Sequence, residues 1–198
     1  MKQKSPQIHP DFNLPGRSKL TGRKSTLTGL FINSITPIVV PSMEEVDAAL
    51  RVLGMTRGAC VCAYCGDQKS EWDHFRAIVL NRKPTGYITE IANLVPSCGK
   101  CNQSKRNVQW QDWINGPAKQ SPKQRSIPDL VERIARLNCY EKWREPIKMN
   151  YSDILGPDRW QTHLNNLERT IQFLEEAEAH AETCRQVLKN HPTVKRLS

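Results

Sequence analysis

Apolar positions along the chain fall into short, separated runs, and most runs predict an element. In PSMEEVDAALRVLG (41–54), Val46, Ala49, Leu50 and Leu53 recur at i, i+3, i+4 and i+7, the stripe of an amphipathic helix. Ser42 and Glu45 stand ahead of it at capping-box spacing, and Gly54 stops it. FRAIVL (75–80) and ITEIANLVP (88–96) are short and rich in branched residues, which predicts two strands. NQSKRNVQWQDWIN (102–115) predicts a helix opening on Asn102, with Trp110 and Trp113, at i, i+3, as packing residues in preference to base-stacking ones. Leu130, Ile134 and Leu137 predict a short helix. A longer one runs over 159–190, with Pro157 suited to its first turn. Its apolar residues Leu164, Leu167, Ile171, Leu174, Ala181 and Leu188 step by threes and fours, with Glu178 interrupting. That pattern fits a core helix or a two-helix seam between subunits.

Between these elements the chain is polar. Residues 1–30 form a basic, Pro- and Gly-interrupted arm, 31–56 a helical segment, 115–127 a polar, basic linker, and 128–198 a C-terminal helical region. The formal net charge is +9. It is concentrated: residues 1–30 carry six Lys/Arg against one Asp, and residues 100–125 carry the same. Two basic blocks point to a polyanionic partner, nucleic acid before a membrane surface. No apolar run approaches the ~20 residues of a membrane span. The first residues lack the apolar stretch of a secretory signal, so a cytoplasmic location is expected.

Seven cysteines make an odd number, and in a reducing compartment clustered cysteines bind metal more often than they pair. Cys62-Ala-Tyr-Cys65 and Cys98-Gly-Lys-Cys101 are two C-x-x-C turns, each with an adjacent glycine. Each two-residue gap lets both sulfurs face one point, so the four thiolates suit a tetrahedral structural zinc. Cys60 offers a substitute ligand, but Cys62 completes the spacing. Cys139 and Cys184 lie on predicted helices as small buried apolar residues.

The zinc would clamp a segment, 57–115, that holds Asp73, His74, Asn93 and Asn102. Asp73 and Asn102 offer oxygen to a hard divalent ion such as Mg²⁺. His74 leaves the opposite face of a strand and is free to act as a base. Asn93 is placed to orient it by accepting a hydrogen bond from the ring.

The ordered string CAYCG…EWDHFRAI…NLVPSCGKCNQSKRN resembles the HNH endonuclease family over roughly residues 60–107. The resemblance implies an α+β fold, a small zinc-braced ββα-metal nuclease core with N-terminal and C-terminal helical segments. It implies that His74 is the general base, Asp73 and Asn102 hold catalytic Mg²⁺ or Mn²⁺, and Asn93 positions the histidine. Lys105 and Arg106 would meet DNA phosphate, and Cys62, Cys65, Cys98 and Cys101 would hold zinc in place of a hydrophobic core. Asn102 stands where the family often has His. The implied activity is hydrolysis of double-stranded DNA to 5′-phosphate and 3′-hydroxyl ends, of restriction type, in a chain that could act as a homodimer. Alternatives are a phage or mobile-element nicking enzyme, a repair, RNA-directed or toxin nuclease, and a non-catalytic zinc-stabilised DNA-binding module.

Overall fold

Residues 24–33, KSTLTGLFIN, are a run without proline and fold as a helix, although the sequence pattern predicts an irregular arm as far as residue 30. The computed structural model describes residues 7–9, 12–13 and 15–195; the remainder of the basic arm lies outside the described residues. In chain order the elements begin with a short antiparallel ribbon, β1 (Gln7–His9) and β2 (Phe12–Asn13), followed by α1 (Lys24–Asn33) and α2 (Met43–Val52). Next come β3 (Glu71–His74), β4 (Val79–Leu80), β5 (Lys83–Pro84) and β6 (Leu94–Ser97). Helices α3 (Gly99–Lys105), α4 (Trp110–Ile114), α5 (Leu130–Trp143), α6 (Tyr151–Leu155), α7 (Pro157–Asn190) and α8 (Pro192–Lys195) complete the order. The fold mixes helices with three two-stranded sheets. No described helix is long and apolar enough to cross a membrane.

The chain divides into two compact units, Gly29–Pro157 and a second formed by the chain before and after it. In the second unit Glu178 of α7 accepts the backbone N–H of Leu20 at 2.5 Å, and Glu175 pairs with Lys24. This accounts for the break in the apolar repeat: at that height α7 caps an N-terminal turn with a carboxylate. Leu167 and Ile171 are buried, whereas Leu188 is exposed.

In the Gly29–Pro157 unit, α2 forms as its pattern predicts. Ser42 Oγ accepts the Glu45 N–H at 3.2 Å, and Glu45 accepts the Ser42 N–H at 2.9 Å. Its buried face meets a core that also takes in Tyr64, Phe75, Val95, Trp110, Trp113, Ile114, Leu137 and Tyr140. Phe75 stacks on Trp110 at 5.4 Å and meets Tyr140 edge-on, while Tyr64 meets Trp113 edge-on at 5.2 Å. The cysteine sulfurs lie within this core, so a metal there would supplement apolar packing and not replace it.

The first strand sits upstream of its expected place and the second begins downstream of it. β3 is EWDH itself, paired antiparallel with β6 so that Asp73 faces Val95 and His74 faces Leu94. FRAIVL is not one strand: Phe75 donates to the Asn93 carbonyl and the chain leaves the sheet. Only Val79–Leu80 is extended again, in a separate hairpin with Lys83–Pro84. A single 3-10 turn over Ile91–Asn93 delays β6 to Leu94. The helix expected to open on Asn102 starts at Gly99. It ends where Arg106 takes φ +53°, and α4 resumes at Trp110. Residues 115–127 are folded against the unit and not a free linker: Ser121 is buried and donates to the Gly116 carbonyl.

Candidate metal centre and its neighbours

The two C-x-x-C turns converge. Cys62, Cys65, Cys98 and Cys101 are all buried, and their sulfurs lie within 4.8 Å of one another. A tetrahedral zinc with Zn–S near 2.3 Å sets sulfurs about 3.8 Å apart. Cys65 and Cys98 are 3.7 Å apart, so the four side chains fit the ion. Hydrogen bonds from Cys101 and Cys65 pull the Cys62 thiol down, while the same contacts push Cys101 up, so the cluster favours a thiolate at Cys62. Cys60 does not join them; its sulfur is directed to the Thr56 carbonyl. Cys139 and Cys184 are exposed and not packed as expected, because each occupies the outer side of its helix.

Two arginines brace the first turn. Gly66 stands at φ +80°, a conformation that favours glycine, and Arg133 Nη2 crosses 2.4 Å from where a Cβ would lie. Arg133 Nη1 then donates to the Cys62 carbonyl at 3.1 Å. Arg125 donates Nη1 to the Cys101 sulfur at 3.6 Å and Nη2 to Asp67 at 2.7 Å. A guanidinium beside four thiolates offsets their excess negative charge around a divalent ion. Arg125→Ala is expected to leave the fold intact and speed zinc transfer to a chromophoric chelator by about 10- to 100-fold. Unchanged release would remove Arg125 from the site.

The tyrosine inside CAYC links this centre to the acidic strand. Tyr64 Oη donates to Asp73 Oδ2 at 2.7 Å, and burial together with the Asp73 charge keeps that phenol protonated. Lys105 Nζ lies 3.0 Å from the same Oδ2 and donates to the His74 carbonyl at 2.9 Å. Lys105 is fully buried, which contradicts its expected place at a phosphate. It is the counter-charge of a buried carboxylate; its neighbour Arg106 is exposed. Burial pushes the Asp73 carboxyl upward, opposed first by the Lys105 charge. Both contacts use Oδ2, which leaves Oδ1 for a cation.

Asn102 is turned by Glu71, to which its Nδ2 donates at 2.7 Å, so its Oδ1 is the atom left to face a metal. Glu71 stands two residues before Asp73 and therefore on the same face of β3. Oxygen donors of this kind fit a hard divalent ion. Sequence reading missed Glu71, although the i, i+2 carboxylates of EWD were the available signal.

His74 Nε2 lies 2.8 Å from Thr89 Oγ1. Burial, then the Lys105 charge, lowers its pKa and favours the neutral ring. Thr89 is thus the partner expected to be Asn93. Asn93 is fully buried and clamps the backbone after β3: Oδ1 accepts the Arg76 N–H at 2.8 Å, and Nδ2 donates to the carbonyls of Arg76 at 3.1 Å and Ile88 at 3.2 Å. It sets the loop that follows the histidine and does not touch the ring.

No protein-family model matches the chain, and no solved structure matches it. Over 87 residues it is 33% identical to the CRISPR-associated endonuclease Cas9 of Corynebacterium diphtheriae. That match spans 42% of this chain and 7% of the relative.

Proposed function

We propose that the Gly29–Pro157 unit is a metal-dependent DNA endonuclease of the HNH kind. What carries the reading is the hydrogen bond from Tyr64, between two zinc-type cysteines, to Asp73, which adjoins His74 at the end of β3. The likeness to an endonuclease supports it. Asp73 Oδ1 and Asn102 Oδ1 would hold Mg²⁺ or Mn²⁺, with Glu71 orienting the amide. When bound, that ion supplies positive charge for the phosphoryl transition state and the departing oxygen.

With Nε2–H donating to Thr89, His74 Nδ1 keeps its lone pair. It takes a proton from a water whose oxygen bonds to phosphorus as the bond to the 3′-oxygen breaks, and that oxygen takes a proton from solvent water. The products are 5′-phosphate and 3′-hydroxyl ends. Lys105 opposes the protonation that burial favours at Asp73, and Asn93 fixes the backbone leading away from the base. Arg106 is the exposed cation left from the expected phosphate pair. Double-stranded DNA is the proposed substrate and restriction-type cutting the proposed role. A second copy would supply the second cut of a palindrome.

Incubating supercoiled plasmid with the protein should give nicked and linear forms in Mg²⁺ or Mn²⁺ and none in EDTA. No metal-dependent nicking of any DNA would favour the alternative, a zinc-stabilised binding module.

A further inference from the structure

The excursion between β3 and β6, residues 75–93, contains a hairpin to which the proposed chemistry gives no part. β4 and β5 are joined by Asn81 and Arg82 at φ 50° and 63°, the paired left-handed conformation of a tight I′ turn. Asparagine suits the first of these positions, and glycine is the favoured residue at the second. Arginine stands there instead, in a conformation that L side chains resist.

Leu80, Asn81, Arg82 and Lys83 are all exposed. Among the described residues neither Arg82 nor Lys83 has an ion-pair partner. The base of the hairpin is tied by two hydrogen bonds: Thr85 Oγ1 donates to the Ala77 carbonyl at 2.7 Å, and the Thr85 N–H donates to the Ile78 carbonyl at 3.0 Å. Below it, Gly86 at φ +92° has room for no side chain, since a Cβ would meet the Met149 carbonyl at 2.5 Å. That fit brings Lys148, also exposed, beside Tyr87.

The geometry points to this hairpin as a groove-reading element, and we infer that it enters the major groove of a DNA duplex with Arg82 at its tip. A two-stranded ribbon is one of the two elements the groove admits, and Arg is the side chain best suited to a guanine edge. Leu80 offers an apolar contact to thymine methyl groups. Arg82 lies eight residues beyond His74, at most about 29 Å along an extended chain. One turn of duplex is about 34 Å, so the tip falls within one turn of the phosphate at His74. Two unpaired cations match the charge of that partner, and a strained arginine where glycine would relax the turn is explained by contact and not by folding.

The inference rests on the nuclease reading for its substrate, and one experiment separates the two. Binding of a set of duplexes by the full chain would be measured in EDTA across a salt series, with thermal melting and Mg²⁺ cleavage alongside, for wild type, Arg82→Gly and Lys83→Ala. Arg82→Gly should melt at the same or a higher temperature, bind about tenfold more weakly, and lower the slope of log Kd against log salt by about one. Sequenced ends should spread over more sites. Lys83→Ala should lower the slope without changing the sites, and it carries the test if Arg82→Gly melts early. Unchanged affinity, slope and cut sites in both variants would overturn the inference. Wild type that binds but never cuts would overturn the nuclease reading and leave the hairpin result standing.

Discussion

His74→Ala is expected to fold, bind DNA and cut about 10²- to 10⁴-fold more slowly than wild type in Mg²⁺. The asymmetry follows from what the ring touches. It is only partly buried, and among the described residues its side-chain hydrogen bond goes to Thr89. Losing such a contact costs about 1 kcal/mol of stability. Removing a proton acceptor from the transition state costs about 3–5 kcal/mol of barrier. Melting temperature and DNA affinity near wild type, with nicking lost, are therefore the expected pair of results. Nicking at the wild-type rate would end the assignment of His74 as the base.

Cys98→Ser should fail differently. Structural zinc sites contribute apparent binding energies of about 10–16 kcal/mol, comparable to or above the whole stability of a typical domain. The ring of Phe75, Trp110 and Tyr140 gives this unit apolar packing of its own, so a collapsed but loosened state is expected and not a random chain. Metal analysis should show zinc gone, with melting early and broad and cleavage lost. Cys139→Ser and Cys184→Ser, at exposed positions, should melt and bind zinc like wild type. A Cys98→Ser protein that keeps zinc and wild-type melting would exclude the cluster as the metal centre.

What could be read in advance was what local spacing determines. The capping box and stripe of α2, the packing of Trp110 and Trp113, and the meeting of the two cysteine turns all came through as expected. The departures share a cause: each depends on a partner distant in sequence. Lys105 reads as a solvated cation in SKRN, and only the approach of α3 to β3 makes it the counter-charge of Asp73. Asn93 and Thr89 are both near enough in sequence to serve the histidine, and strand register decides between them. EWDH alternates polar and apolar positions too briefly to stand out as a strand, so the apolar run beyond it attracted that reading. Tyr64 gave no sign that its hydroxyl would bridge the cysteines to the acid.

Thr89 also carries a consequence for how portable the site is. Its backbone is held on both sides by a segment far upstream, with Thr89 N–H donating to the Pro37 carbonyl at 3.0 Å and Val39 N–H to the Thr89 carbonyl at 2.9 Å. A graft of residues 57–115 into another scaffold would transfer all four clustered cysteines, the acid, the amide and the base. It would leave behind the strip that seats Thr89, whose hydroxyl meets the imidazole. The transplanted ring would then lose the fixed hydroxyl that meets its Nε2 and, with it, a set orientation toward water. In this protein the position of that hydroxyl depends on residues 37–39, which carry no ligand, charge or catalytic group.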